Sequence, residues 1–289
     1  VCRPFDDESD GSVAGEAAVL FLLKKLSDAE RDNDHIYAVI RGFAANHNGF
    51  RSNSLASPSS DGQTEVIVKA IQNAGVNPEN IGLIETHGTG TNIGDPIEIK
   101  GLSDAFHQFT EKRAFCSLGA VKSNFGHAGI CAGAVGLLKA VASLSLKKRY
   151  PIANYHQPNR LIDFENSPFY PQSTLDHWEQ SGIRTAGVSS LGLSGTNVFG
   201  ILTEYPQQKP EAETASTDVF SISAASEDAL QRYKAVLASK IAQSSDSVKA
   251  LCAAMNYGRN DDRFRDSAVV HNREEILQFL QEQHPVPAT

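Results

Sequence analysis

The sequence predicts an α/β fold followed by a small α+β module, and three features predict it. Between Val13 and Thr203, apolar runs of strand length alternate with segments of helical period, the pattern of strands and helices laid down in turn. The composition shifts at 205–217, Tyr-Pro-Gln-Gln-Lys-Pro-Glu-Ala-Glu-Thr-Ala-Ser-Thr, which reads as a linker. Beyond it a strand, two helices, a strand and a last helix read as one small module. The organisation expected is therefore a domain over 1–205, a linker over 206–217 and a module over 218–289.

The elements follow in order. Residues 13–26, apolar and then basic, read as a buried strand, and Ile36 to Ala44 as a second. Residues 47–63 are rich in Asn, Ser, Gly and Pro and read as a loop. Thr64 to Ala74 carries Ile67, Ile71 and Ala74 on one face and meets Gly75, a helix with its C-terminal glycine. Asn77-Pro78 is a turn, and Ile81 to Glu85 is a strand. Asp95-Pro96 opens a helix, with Asp as cap, Pro in the first turn and Glu98 near the positive end of the dipole. Phe115 to Val121 is strand-like. Ala128 to Leu146 is a long helix whose small residues permit close packing, so a central, buried position is expected. Residues 147–180 read as a proline-dotted, aromatic connection. Strands near Thr185–Ser190 and Val198–Thr203 flank the turn Leu191-Gly-Leu-Ser-Gly-Thr-Asn197. In the module, Val219–Ile222 and Ser267–His271 are strands, and Ser226 and Asn272 cap helices. A shorter helix carries Val248, Leu251, Cys252 and Met255 and stops at Gly258.

Composition narrows the function. A net charge of −8 offers no basic stripe for nucleic acid. The apolar runs read as too short, and too broken by Gly and Lys, to span a membrane. Four scattered cysteines, with no C-x-x-C pair, argue against zinc or a disulfide framework and fit a reducing cytoplasm. The chain begins at Val1 and its one methionine is Met255, so a piece of something longer is expected.

Two histidines carry the chemical signal. His87 lies in Glu85-Thr-His-Gly-Thr-Gly-Thr91, directly after a strand, and so at the carboxyl end of the sheet where ligands bind. A turn histidine that satisfies backbone groups is the alternative. The hydroxyls of Thr89 and Thr91, in a loop that needs none, tip the balance toward function. His127 ends Lys122-Ser-Asn-Phe-Gly-His127 and precedes the long helix, whose positive end favours a neutral ring. A neutral imidazole can donate to a developing oxyanion, with Lys122 in the polar network around it. A capping histidine beside a surface lysine is the alternative there. Gly88-Thr-Gly90-Thr-Asn-Ile-Gly94 misses the dinucleotide fingerprint by one residue of spacing, and Asp95 stands where a pyrophosphate would sit. Gly192-Leu-Ser-Gly195 is not a nucleophile elbow. Cys116, in an apolar strand, and Cys131, inside a packed helix, read as inert, with Cys131 the one in-chain nucleophile worth naming.

Taken together, four blocks resemble the ketosynthase domains of modular polyketide synthases, within the thiolase-like superfamily. They are Cys2-Arg-Pro-Phe-Asp6 with Asp10-Gly-Ser-Val-Ala-Gly-Glu16, Glu85 to Glu98, Val121 to His127, and Gly187 to Asn197. The resemblance implies a layered α-β-α thiolase-like fold over residues 1 to about 205, then a post-ketosynthase linker subdomain. It implies decarboxylative Claisen condensation of an acyl thioester with malonyl-acyl carrier protein. The nucleophilic cysteine would come from an N-terminal half absent from this sequence. His87 and His127 would bind the malonyl thioester carbonyl, and Lys122 would support them. Thr89 and Thr91 would contact the phosphopantetheine arm, and Gly192, Leu191 and Leu193 would line the acyl site. Cys2 would be structural. No covalently bound cofactor is implied; substrates arrive on the phosphopantetheine of acyl carrier protein. The N-terminal half, acyl carrier protein and a second copy in a two-fold homodimer are the expected partners. Three departures stand out: Gly129 where the family has a buried Glu, Leu191 and Leu193 where phenylalanines are common, and Phe199 where His is frequent. The first and third leave a non-elongating or scaffold protein as the alternative.

Overall fold

In the computed structural model, residues 1–52, 54, 57–206, 217–259 and 261–282 are described. They form two compact units, Val1–Gln207 and Gln208–Thr289. All but the end residues of the expected linker lie outside the described residues.

The first unit is built from α1 (Leu26–Arg31), β1 (Val39–His47), α2 (Ser60–Ala74), β2 (Ile81–Glu85), α3 (Gly94–Phe106), β3 (Cys116–Gly119), α4 (Lys122–Phe125), α5 (Ala132–Leu146), β4 (Lys148–Arg149), β5 (Phe169–Pro171), β6 (Asp176–His177), β7 (Thr185–Leu191) and β8 (Thr196–Thr203). Six strands form one mixed sheet in the order β1-β8-β7-β2-β3-β5. β2 runs parallel to both β3 and β7, while β8 and β1 are antiparallel additions. Alternation along β2 and β7 sends side chains to opposite faces. Ile84 joins the core beneath α2 and α3, with Ile67, Ile71, Ile99, Leu102 and Phe199. Leu83, Ala186 and Val188 meet Ala140 and Leu144 of α5 on the other face. One sheet therefore lies between helices on both sides.

Glycine sets two close approaches. A Cβ on Gly42 of β1 would lie 2.6 Å from the Ala74 backbone nitrogen, so α2 can pack directly on the strand. A Cβ on Gly133 would lie 2.5 Å from Ser190 Oγ, which brings α5 down onto β7.

Several expectations need correction. Residues 13–26 do not form a strand: only Ala14 bridges, to His127, and α1 begins at Leu26. A strand needs a neighbour for its backbone groups, and apolar content alone does not supply one. Leu20 and Leu22 are accordingly 95% and 98% exposed. The long helix starts at Ala132, after a separate 3-10 turn, Gly129–Cys131. It is covered on one face only, with Leu138 and Leu146 exposed. The stretch Gly129–Leu146 does reach the length and hydropathy of a membrane span, although its glycine face packs on the sheet. Asp95 is not a cap but lies inside the first turn of α3, because its carboxylate is used elsewhere. The connection 147–180 contains β5, which pairs with β3 and ends the sheet. The predicted loop 47–63 gives way to α2 at Ser60, capped by the Ser59 side chain.

The second unit contains β9 (Asp218–Ala224), α6 (Glu227–Gln243), α7 (Val248–Tyr257), β10 (Phe264–Val270) and α8 (Arg273–Gln281). β9 and β10 pair antiparallel. Ser226 and Asn272 accept the amides of Ala229 and Glu275, the capping that both residues predict. Phe220, Ile222, Leu230, Ile241, Ile276 and Phe279 form its core.

Candidate active site

Because β2, β3 and β7 are parallel, their carboxyl ends share one edge of the sheet. His87 follows β2, Lys122 follows β3 and Leu191 ends β7. Topology thus gathers residues far apart in sequence, as open parallel sheets do at ligand sites. His127, after α4, completes the group. Its loop is clamped by the N-terminal block: His127 N donates to Val13 O at 2.6 Å, and Gly15 N donates to His127 O at 3.0 Å. Gly15 has no room for a Cβ, which would sit 2.1 Å from Phe125 O.

The two imidazoles meet edge to face, with ring centroids 5.7 Å apart and planes at 85°. The Leu191 amide points at His87 Nδ1, 3.3 Å away, and Lys122 Nζ lies 3.4 Å from the same atom. The Gly129 amide donates to His127 Nδ1 at 3.0 Å. A ring nitrogen that faces an N–H donor must accept, so in each neutral ring the proton sits on Nε2. Burial, then the charge of Lys122 and the second ring, holds the His87 pKa down to about 3. Burial and Lys122 lower His127 as well. The helix end is not what keeps His127 neutral, since α5 begins five residues later. In its neutral form each ring is a donor at Nε2.

Lys122 is buried, and its ammonium also donates to the His87 carbonyl. Burial lowers its pKa, while the Glu98 and Glu85 carboxylates pull it back up. The glycine loop after His87 is held by carboxylates from α3. Glu98 accepts the amides of His87 and Gly88 at 2.7 and 2.8 Å. Asp95 accepts those of Phe5 and Gly90 at 2.8 and 3.1 Å. Burial raises Glu98 to about 7 and Asp95 to about 6. The amides that a nucleotide phosphate would need are therefore already taken.

The other predicted residues divide. The Leu191 backbone reaches His87. Gly192 turns the β7–β8 hairpin, its amide donating to Thr196 O at 2.7 Å. Leu193 stands at the hairpin tip, 81% exposed. The threonine hydroxyls do serve their loop, contrary to expectation: Thr89 and Thr91 Oγ1 are 3.1 Å apart, and Thr91 accepts the Gly94 amide. Cys2 is buried, with Sγ 3.4 Å from Thr89 O, and burial raises its pKa. Cys116 is buried and shifted upward likewise. Cys131 is half-buried in the turn ahead of α5, not inside a packed helix.

Two departures change meaning. Gly129 is exposed at φ +57°, with open space where a Cβ would go, so the position is not a buried one in this chain. It acts through its amide. Phe199 is fully buried under α2, its ring 2.7 Å from where a Gly187 Cβ would lie, and is a core residue.

Sequence reading missed the acids Glu85 and Glu98 as site residues, and Lys139. Lys139 could have been flagged as the one charge inside an apolar helix, and Glu85 as a carboxylate closing an apolar strand.

Comparison with known proteins gives the family and the fold. The family "Beta-ketoacyl synthase, C-terminal domain" matches residues 37–156. The family "Ketoacyl-synthetase C-terminal extension" matches residues 158–269. Polyketide synthase PksL of Bacillus subtilis is 35% identical over 96% of this chain, which spans 6% of that protein. A mycocerosic acid synthase-like polyketide synthase of Mycolicibacterium smegmatis is 40% identical over 85% of the chain, 12% of its own length. The ketosynthase from module 6 of the bacillaene synthase of Bacillus subtilis superposes with a TM-score of 0.83 at 35% identity. That match covers 96% of this chain and 49% of the other. The fold is thiolase-like. The chain belongs to the β-ketoacyl synthases, and it corresponds to the C-terminal region of a modular polyketide synthase ketosynthase.

Proposed function

We propose that this chain carries the enolate-stabilising side of a decarboxylative Claisen condensation, and that the nucleophilic cysteine comes from ketosynthase sequence outside it. The observation that carries this function is the pair of neutral imidazoles, each with Nδ1 occupied by a backbone amide and Nε2–H free to donate. Malonyl on the phosphopantetheine of an acyl carrier protein would place its thioester carbonyl between them. The bond to the carboxylate breaks, CO2 leaves, and the electron pair moves into an enolate. Two fixed donors stabilise the oxyanion as its charge develops. The enolate carbon then attacks the acyl-cysteine carbonyl, and the thiolate departs.

Uncovered apolar surface supports the need for a second half. The extended segment with Leu20, Leu22 and Leu23 is open to solvent, as is Leu138 on α5. Such surface marks a face meant to be covered. The chain spans about half of the ketosynthase structures it matches.

Intact mass measurement on the complete ketosynthase tests this. We expect an acyl-thioester donor to add one acyl group to a cysteine outside this chain, and malonyl carrier protein then to lose CO2 and take up that acyl group as a 3-oxoacyl carrier protein. An enzyme that loads but never decarboxylates would be an acyl relay, and one that does neither would be a scaffold. Either result rejects condensation.

A further inference from the structure

We propose that the ion pair Glu85–Lys139 is a positioning device for the histidine site, acting through Lys122 and His87; this rests on the condensing function proposed above. Lys139 Nζ lies 2.9 Å from Glu85 Oε2, with 11% and 0% of the two side chains exposed. Neither atom has a directed hydrogen-bond partner among the described residues. A buried pair so poorly satisfied contributes little stability, and apolar groups of the same shape would serve as well or better. Its place in the fold supplies a different reason.

Glu85 is the last residue of β2, two before His87. Its other oxygen, Oε1, accepts the Val121 amide at 2.6 Å, one residue before Lys122. Lys139 is on α5, which follows the turn bonded to His127. One carboxylate thus ties together the three segments from which His87, Lys122 and His127 depart. Room is left for it on both sides. A Cβ on Gly119 would lie 2.5 Å from Glu85 Oε2 and 3.0 Å from Lys139 Nζ, and one on Gly136 would lie 3.5 Å from Glu85 Cγ. The Glu85 charge also bears on Lys122, favouring its ammonium. That ammonium holds the His87 carbonyl and adds to the burial that lowers the pKa of both rings.

The test uses the complete ketosynthase with Glu85→Gln, Lys139→Met and the double variant. The readouts are malonyl carrier decarboxylation against pH, acyl loading, and thermal unfolding. Glu85→Gln is expected to slow decarboxylation about tenfold with loading unchanged, the scale of a small misplacement of reacting groups. The alkaline limb of the profile should move to lower pH, because Lys122 loses a carboxylate that favours its charge. Lys139→Met should move that limb the other way, since Glu85 no longer shares its charge with Lys139. It should also lower the unfolding temperature by leaving a buried carboxylate unpaired. The double variant should recover the unfolding temperature but keep the Glu85→Gln profile. Unfolding temperatures that change while the limb stays fixed in all three variants would overturn the proposal. If the parent enzyme does not decarboxylate at all, the condensing function fails separately. In that case 15N signals of His87 that stay unmoved in Glu85→Gln reject the positioning role, and displaced ones support it.

Discussion

Replacing His127 by Ala in the complete ketosynthase is expected to slow malonyl decarboxylation about 10²–10³-fold, the usual loss for one oxyanion donor, and to leave acyl loading near the parent rate. His127 Nδ1 is engaged by the Gly129 amide, so the ring presents Nε2–H and nothing else to a ligand. Loading requires a thiolate and a thioester, not an enolate site. His87→Ala should follow the same pattern, with a wider effect on its surroundings, since the His87 ring also receives the Leu191 amide and faces Lys122. Steady-state decarboxylation and single-turnover loading measured on the same preparations separate the two steps. Equal losses in both would mean that the histidines shape the whole domain and do not act on one step.

The second large effect concerns stability. Phe199→Ala should destabilise the first unit by about 3–5 kcal/mol, the range for emptying a buried aromatic site. Phe199 is fully buried and packs with Ile84, Ile201 and the helices of one sheet face. Gly187, the residue beside that ring, has no side chain to fill the space. Urea unfolding, with decarboxylation assayed at low urea, checks both halves of the account. The folded variant should retain most of its rate, because Phe199 belongs to the core and not to the site. A stable but inactive Phe199→Ala would place the residue in the chemistry after all.

Much of this fold was legible locally. Gly75, with φ +62°, ends α2 where its sequence position requires, and Ser226 and Asn272 cap the helices they precede. β2 falls on Ile81–Glu85 because a short apolar run is bounded by a turn and by glycines. What failed depended on partners beyond local pattern. Residues 13–26 have strand composition but no strand beside them. Three-residue β5 hides in a proline-rich stretch, and only pairing with β3 makes it a strand.

The site divides in the same way. His87 and His127 could be singled out by their glycine-rich corners next to strands, although a turn or capping role was open for each, and the fold brings the two rings together. Their convergence follows once β2 and β3 are known to be parallel. The clamp from α3 was not readable. Asp95 and Glu98 look like helix-start acids, and only the folded chain turns their carboxylates onto the amides of Phe5, His87, Gly88 and Gly90. The threonine hydroxyls were not idle in their loop as the sequence suggested: they help close it.

Enolate stabilisation at this site requires two neutral imidazoles that present Nε2–H together. The direct measurement is a pH titration of the complete ketosynthase labelled with 15N-histidine, His87 and His127 being assigned by their Ala variants. Both rings are expected to carry the proton on Nε2 and to stay neutral as pH falls through 6.5, the ordinary histidine value, with His87 resisting down to about 3. Imidazolium signals near neutral pH, or a proton found on Nδ1 of either ring, would contradict it.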